Sequence, residues 1–401
     1  MNLLVIFGLC AAVVWVLSYL RAYRAIKKLG AHPPAYKSFL PLGLDFLWKF
    51  TRNLQNHKDL EFWQQMFLDN GNSANPYTIE VYILGKKIMF TADPENMKAI
   101  LATQFNDFGK GERFREDWRP FLGASIFTAD GQLWHDLRQL VRVQFLKDRV
   151  SDLRVFEHHT HILLSKLEDS NRGVDVTDLF LRFTIDAATH FLLGHSIDTL
   201  TNPHVKFAEA FAEVQRIQTV LSRMGPFKRF VPKSEYNAHL KVINEFVNPF
   251  VEEALSLSPE ELEKKTKSDE GYTFLHALAA YSRDRALLRD QIVSILIAGR
   301  DTTASTLSWC IHELSKQPRI VSKLRKEIGD VVGFEKAPTY ADLKSMRYLQ
   351  VSISLNFYLM KQDGTGSYIR RIQIQIWPNI AIIPGIALLQ IFLADDQDST
   401  P

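Results

Sequence analysis

The sequence predicts a mainly α-helical body with a small β-sheet, an α+β fold, behind one N-terminal transmembrane helix. Three patterns within the 401 residues support this prediction. A charge-free apolar run lies near the start, and alternating apolar residues around positions 78–91 predict a β-hairpin. From there to about residue 350, apolar residues recur at the three- and four-residue spacing of helices.

The apolar run Leu3–Leu20 predicts a membrane anchor. Its eighteen residues have no charge, and with their flanks they suffice for a bilayer core that takes about 20 helical residues. A cleaved signal peptide is the alternative, but the run exceeds the usual apolar core of about 7–15 residues. The basic residues lie after the run, which places the body in the cytosol: Arg21, Arg24, Lys27 and Lys28. We therefore predict an anchor over 3–20 and a basic, proline-containing linker over 21–36.

The predicted body, residues 37–350, begins with little sheet and continues as helices. The hairpin pairs Thr78–Leu84 with Lys87–Thr91, and Asp93 before Pro94 is typical of a helix start. The charged segment Leu257–Gly271 predicts a solvated connection. The main helices are predicted by apolar periodicity: Val176–Leu193, Val205–Leu221, Leu240–Leu257 and Leu288–Leu314.

Charge and cysteine content exclude several classes of function. A net charge of +3, without basic clusters interleaved with aromatic residues, indicates no nucleic-acid partner. Of the two cysteines, Cys10 lies in the predicted anchor and Cys310 in an apolar helical stretch. Neither has a disulfide partner or a metal-binding spacing, as expected of a cytosolic body without a zinc site.

The strongest candidate site is Ala298-Gly299-Arg300-Asp301-Thr302-Thr303, in the middle of the last predicted long helix. Glycine inside a helix costs about 1 kcal/mol relative to alanine, so helix propensity does not explain a glycine at this position. A locally opened helix with a hydroxyl beside a carboxylate could bind a small polar ligand and pass protons to it. The alternative is a helix end at Gly299 and a new helix capped by Asp301.

A second candidate is the pair Trp134 and Arg138, four residues apart and therefore on one helical face. An indole N–H and a guanidinium are both donors, and together they suit a carboxylate on a ligand. Surface packing is the alternative interpretation.

These motifs, with the stretches around them, resemble the cytochrome P-450 superfamily of haem-thiolate monooxygenases. The resemblance covers roughly residues 30–350 and points to the fungal alkane and fatty-acid hydroxylases. The matching stretches are TADPENMKAILATQFNDFGKG, GASIFTADGQLWHDLRQLVRVQF, FTIDAATHFLLG and YADLKSMRYLQ.

The resemblance assigns a role to each candidate residue. Trp134 and Arg138 would donate to the haem propionates, and Ala298 and Gly299 would lie against the haem, with Gly299 leaving room for dioxygen. Asp301 and Thr302 would deliver protons for O–O cleavage. The family also implies electrons from NADPH through a reductase, and a single-pass protein of the endoplasmic reticulum membrane.

The resemblance stops at Gln350. This chemistry requires a cysteine thiolate on the iron, and no cysteine follows Cys310, so no metal ligand is assigned. The expected Glu-x-x-Arg pair is also absent, since the last glutamate is Glu335. We interpret the tail, 351–401, as a retained intron followed by an out-of-frame exon. A second membrane segment over Ile374–Ala394 is the alternative, although Pro378 and Pro384 interrupt it.

Two functions of different classes follow. In the first, the protein is by family a membrane-bound monooxygenase for a long apolar substrate such as a fatty acid, an alkane or a lipid-like secondary metabolite, inactive in this form. In the second, the truncated chain is a non-catalytic membrane protein that pairs with intact relatives.

Overall fold

The computed structural model shows two compact units, Met1–Asp107 and Phe108–Pro401. It describes residues 33–56, 58–84, 86–143, 153–168, 173–268, 272–333 and 336–355, together with Leu17, Leu20, Arg21 and Arg24. Most of the predicted anchor, most of the linker up to residue 32 and the whole tail from residue 356 lie outside the described residues. Among the helices in the described residues, none is both long and apolar enough to cross a bilayer.

The first unit contains the sheet. A 3-10 turn, Pro41–Gly43, leads into α1 (Leu44–Gln55) and α2 (Asp59–Asn70). Strands β1 (Thr78–Ile83) and β2 (Lys86–Thr91) pair antiparallel from Thr78 opposite Thr91 to Ile83 opposite Lys86. The predicted hairpin is therefore confirmed. Helix α3 (Pro94–Lys98) follows, with a π-helical turn at Ala99–Thr103 and a 3-10 turn at Phe105–Asp107.

Local signals in this unit act as predicted. The Asp93 carboxylate accepts from the N–H groups of Glu95 (2.8 Å) and Asn96 (3.3 Å), so it caps α3 as expected. Alternation along β1 buries Ile79 and Val81 completely. They pack in a cluster with buried residues of α1 and α2: Phe46, Phe62 and Met66.

The second unit is helical in all its described elements. Its helices are α4 (Glu112–Leu122), α5 (Gly131–Val143), α6 (Arg154–Glu168), α7 (Val176–Leu193), α8 (Lys206–Arg223), α9 (Ser234–Ser256), α10 (Pro259–Ser268), α11 (Phe274–Tyr281), α12 (Arg285–Ser315), α13 (Pro318–Val331), α14 (Tyr340–Ser345) and α15 (Arg347–Leu355). A 3-10 segment, Gly225–Phe230, joins α8 to α9. The prediction of a mostly helical fold with a small sheet is confirmed.

The charged segment Leu257–Gly271, predicted as a solvated connection, is mostly exposed in its described residues and contains α10, which the sequence did not predict. The helix start has a reciprocal cap: the Glu261 N–H donates to the Ser258 hydroxyl at 3.2 Å, and the Ser258 N–H donates to the Glu261 carboxylate at 2.7 Å. Leu262 is buried, with 1% exposure, and anchors the otherwise charged helix. The charge of the segment concealed this cap signal.

Helix α12 packs along α7 in the centre of the second unit. Ala304 of α12 belongs to a buried cluster with residues before it in sequence: Leu163, Phe180 and Leu200. Buried Asp186 of α7 binds the turn that follows, since it accepts from the N–H and hydroxyl of Thr199 and from the N–H of Leu200 at 2.7–2.9 Å.

Helix α15 passes through the predicted boundary between Gln350 and the tail. Its first turn is capped by Glu327 of α13, which accepts from the N–H groups of Tyr348 and Leu349, both at 2.8 Å. The helix then continues to Leu355, and Ser352 is buried. The change in composition at residue 351 therefore does not coincide with a helix end.

Candidate active site

The motif at residues 298–303 lies inside one continuous helix. Helix α12 runs from Arg285 to Ser315 and is capped by Asp284, whose carboxylate accepts from Ala286 N and Leu287 N. Both sequence-based interpretations were wrong in this respect, because the helix neither ends at Gly299 nor opens there. Its preceding two turns are almost wholly buried, so packing fixes the helix whatever the propensity of the motif.

Two threonine hydroxyl groups in and after the motif donate hydrogen bonds to backbone carbonyls of their own helix. The Thr302 hydroxyl donates to the Ala298 carbonyl at 2.7 Å, and the Thr306 hydroxyl donates to the Thr302 carbonyl at 2.8 Å. Each bond spans four residues, which is the geometry open to threonine in a helix. Ala298 and Thr302 therefore share one face of α12, and the Thr302 proton has a defined resting position.

Asp301 is the acid of this face. Its Oδ1 lies 3.2 Å from Nη1 of Arg300, whose own side chain is only 12% exposed, while 35% of the Asp301 side chain remains exposed. Burial raises the pKa of Asp301, although the charge of Arg300 and the side chain of Gln215 lower it in part. A raised pKa suits a carboxyl group to holding a proton and releasing it.

Gly299 faces α7. A Cβ built on Gly299 would lie 3.9 Å from the Cβ of Ala188, an ordinary contact distance. On the same side, the Thr184 hydroxyl of α7 reaches the Arg300 carbonyl at 3.0 Å. One face of the motif thus contacts α7, and Ala298, Asp301 and Thr302 lie on a different face of α12.

Trp134 and Arg138 lie together on α5, as their spacing predicts. Arg138 Cζ lies 5.2 Å from the centre of the Trp134 ring. Trp134 is 6% exposed and continues the buried face formed by Leu137 and Leu140, whereas Arg138 is half-buried. The pair is therefore part of the packed interior edge of α5 and not surface packing.

A tight turn before α5 is bound to α12. Gly123 has φ +56°, and a Cβ there would collide with the Asp290 carboxylate. The Asp290 carboxylate accepts from Ala124 N at 2.8 Å, and Gln291 Nε2 donates to Ala124 O at 2.9 Å. The sequence did not single out Asp290, because its partner lies 166 residues away; the signal present was a glycine directly after a helix.

A second carboxylate fixes the turn at the start of α5. Asp130 accepts from the N–H groups of Lys110 and Gly111, both at 2.9 Å. Burial opposes ionisation, but these donors and the Lys110 ammonium hold the pKa of Asp130 below its ordinary value. The two groups of predicted site residues thus lie on separate helices of one unit, and the turn before α5 is tied directly to α12.

Comparison with known proteins identifies this arrangement. The family description "Cytochrome P450" matches residues 43–354. The chain belongs to the cytochrome P450 family. The match extends four residues beyond Gln350, which the sequence analysis gave as the end of the resemblance.

Individual P450 relatives support the same assignment. The chain is 43% identical over 355 residues to "Cytochrome P450 monooxygenase pvhE" of Talaromyces variabilis, with 84% of this chain and 65% of that protein covered. It is 34% identical over 390 residues to "Cytochrome P450 52A12" of Debaryomyces hansenii, covering 89% and 74%. The chain therefore spans just under two thirds of the Talaromyces relative.

A solved P450 has the same fold. The haem domain of cytochrome P450DA superposes with a TM-score of 0.65 at 15% identity, covering 82% of this chain and 70% of that one.

P450 proteins use haem, and the donor groups of this chain fit part of that cofactor. Trp134 and Arg138 supply an indole N–H and a guanidinium, which match the carboxylates of haem propionates. Cys310, in contrast, lies eight residues after Thr302 on α12, about 12 Å along the helix, and is buried. Because it lies on the same helix as Thr302, it would not supply the thiolate that holds the iron, and the described residues contain no other cysteine.

Proposed function

We propose that this chain provides the distal side of a haem-thiolate monooxygenase that hydroxylates a long apolar substrate. The single observation behind the proposal is the face of α12 that presents Ala298, Asp301 and Thr302, with the Thr302 hydroxyl bonded to the Ala298 carbonyl at 2.7 Å. A proton donor of raised pKa next to a hydroxyl is what an oxygen-activating site needs from its protein.

Each residue of the proposed site has a separate role. Haem, when bound, supplies the activation of dioxygen and its insertion into a C–H bond. Trp134 Nε1 and the Arg138 guanidinium would donate to the propionates and fix the cofactor's orientation. Asp301 would take up a proton from solvent at its carboxylate, and Thr302 would pass a proton through Oγ1 after leaving the Ala298 carbonyl. Gly299 and Thr184 keep that turn of α12 against α7.

We propose a fatty acid, an alkane or a lipid-like secondary metabolite as the substrate class. The support is the resemblance of the ordered stretches in this sequence to fungal alkane and fatty-acid hydroxylases. Electrons would come from NADPH through a reductase, and the anchor predicted over Leu3–Leu20 would hold the body at the cytosolic face of the endoplasmic reticulum.

The thiolate would have to come from outside the described residues of this chain, because Cys310 lies on the same helix as Thr302, and Cys10 belongs to the predicted anchor. The same observation favours a second function for the chain as written: a non-catalytic membrane protein that pairs with intact relatives. Co-purification with a full-length relative, from cells expressing both, tests this second function; two separate species in detergent would count against it.

Haem titration of the purified 401-residue chain tests the proposed site. We expect the unaltered chain to bind haem. The affinity for haem should fall at least about tenfold in Arg138→Leu, because one charge-assisted hydrogen bond is worth about 1.5–3 kcal/mol. Arg142→Leu, an exposed change one turn later on α5, is the matched control and should bind like the unaltered chain. Equal affinity of both variants would contradict the assignment of Arg138 to the propionates.

A further inference from the structure

Three consecutive residues of α12 bind the chain at the end of α4. Arg289 Nη1 donates to the Phe121 carbonyl at 2.7 Å, and the Asp290 carboxylate accepts from Ala124 N at 2.8 Å. Gln291 Nε2 donates to the Ala124 carbonyl at 2.9 Å. Helix α4 also packs against α12. The start of the turn before α5 is therefore fixed to α12 by hydrogen bonds as well as by packing.

Asp290 is the central group of this contact. Its Oδ2 accepts from Ala124 N, and its Oδ1 lies 3.1 Å from Nη1 of Arg289, so both oxygens are bound. The side chains of Arg289 and Asp290 are only 12% and 13% exposed. Gly123, at φ +56°, lies so close that a Cβ there would collide with the Asp290 carboxylate. The acid therefore leaves the turn little freedom to move along α12.

The rest of the turn is held by its own hydrogen bonds. Thr128 Oγ1 donates to the Gly123 carbonyl at 2.7 Å and accepts from Ser125 N at 3.0 Å. Ser125 and Thr128 are fully buried, and Phe127 between them is 2% exposed. Asp130 follows, and α5 begins at the next residue. A short, buried turn that is bonded internally moves as a unit, so its attachment to α12 determines where α5 starts.

The proposed site residues lie on the two helices that this turn connects. Trp134 and Arg138 belong to α5, whereas Asp301 and Thr302 belong to α12. One haem can meet both groups only if the two helices keep a fixed separation. A displacement of about 1 Å can remove most of the effect of a positioned group.

We propose that Asp290 is a positioning residue. Through its bond to Ala124 it sets the place of α5 relative to α12, and thereby the place of the Arg138 guanidinium at a haem propionate. A carboxylate suits this task, because its hydrogen bond to a backbone N–H is charge-assisted and short. The role towards haem rests on the proposed function, whereas the link between α5 and α12 does not depend on it.

The separation of α5 and α12 in the haem-free full chain is the first measurement. Spin labels are attached at Gln139→Cys on α5 and His312→Cys on α12, which are both exposed positions. The two natural cysteines are replaced in this chain by Cys10→Ser and Cys310→Ala. Pulsed electron paramagnetic resonance in detergent then gives the distribution of distances between the labels.

Asp290→Ala should change this distribution. We expect a shift or a broadening of about 1 Å or more, because Ala124 N loses its acceptor and the turn is released from α12. The control is Arg285→Ala, which removes an exposed ion pair with Glu252 in the first turn of α12. It should leave the distribution unchanged.

Haem affinity connects this position to Arg138. Asp290→Ala should weaken haem binding at least about threefold, but by less than about twofold in the Arg138→Leu chain, where no guanidinium remains to be displaced. A merely structural residue would give the same loss in both chains. Asp290→Asn keeps an acceptor oxygen for Ala124 N and should bind haem almost as well as the unaltered chain.

Two results would overturn the proposal: an unchanged distance distribution in Asp290→Ala, or equal haem losses with and without Arg138. If Asp290→Ala does not fold, Asp290→Glu replaces it. Its longer side chain must displace the turn, because Gly123 already lies against the carboxylate, and an unchanged distribution in that variant also overturns the proposal. A changed distribution in a chain that binds no haem would support the link between the helices and contradict the proposed function separately.

Discussion

Gly299 is a position where the family resemblance and the local geometry give different expectations for one residue. The resemblance implies that the space beside Gly299 is occupied by dioxygen. In the structure, the nearest side-chain atom to a Cβ built on Gly299 would be the Cβ of Ala188, at 3.9 Å. Helix geometry places Ala298, not Gly299, on the face of Thr302. At the residue scale, then, a side chain added at Gly299 would meet only Ala188 of α7, at an ordinary contact distance.

Gly299→Ala should therefore be tolerated. We expect an increase in the free energy of unfolding of up to about 1 kcal/mol, because alanine favours a helix interior by that amount. Gly123→Ala is the matched comparison and should destabilise the chain, since Gly123 has φ +56° and faces the Asp290 carboxylate. Urea unfolding measures both; a strongly destabilised Gly299→Ala would show that α7 leaves no room.

Asp186 is a buried acid whose three hydrogen bonds hold the turn after α7. Asp186→Ala should lower the free energy of unfolding by about 2–4 kcal/mol, because buried donors of Thr199 and Leu200 lose their partner. Asp178→Ala, which removes an exposed pair with Arg182 on the same helix, should cost under about 1 kcal/mol. Similar losses in the two variants would contradict this assignment.

At the scale of elements, α6 and α7 meet through two histidines. His159 is fully buried, and its Nε2 lies 3.1 Å from Nδ1 of His190. Burial, together with the neighbouring His190 and His158, lowers the pKa of His159 to about 4, while Asp198 opposes them. The pair is therefore neutral in the folded protein near pH 7, with one ring donating to the other.

Acid should weaken this contact. The folded-state pKa of His159 is about 4 against an ordinary value of 6.5, so the stabilisation is complete above about pH 6.5 and is lost as the pH falls towards 4. Urea unfolding between pH 7.5 and 4.5 should show a loss of up to about 3 kcal/mol. His159→Gln should flatten the profile in this range, and His161→Gln, an exposed residue of α6, should not; an unchanged profile in His159→Gln would contradict the explanation.

At the scale of the whole molecule, the sequence predicted what depends on local pattern. Apolar periodicity predicted both ends of α7, alternation predicted the hairpin, and Asp93-Pro94 predicted the start of α3. Helix α10 was not predicted, because a single buried leucine among charged residues gives no apolar periodicity.

Long-range partners could not be predicted in the same way. Asp290 matters because of Ala124, which lies 166 positions away, and no local pattern joins the two residues. The continuity of α12 through Gly299 was also a property of its packing against α7, since local propensity favours a break. Periodicity and caps therefore located several of the helices and the motif residues, while the bonds that orient those residues required the structure.

The central claim is that this chain provides the distal and propionate side of a P450 site without its thiolate. The most direct test is the carbon-monoxide difference spectrum of the reduced, haem-loaded protein. The 401-residue chain should give no thiolate-ligated band. A fusion of residues 1–350 to the remaining part of the Talaromyces relative should give that band. A thiolate band from the 401-residue chain alone, or none from a folded, haem-loaded fusion, would contradict the claim.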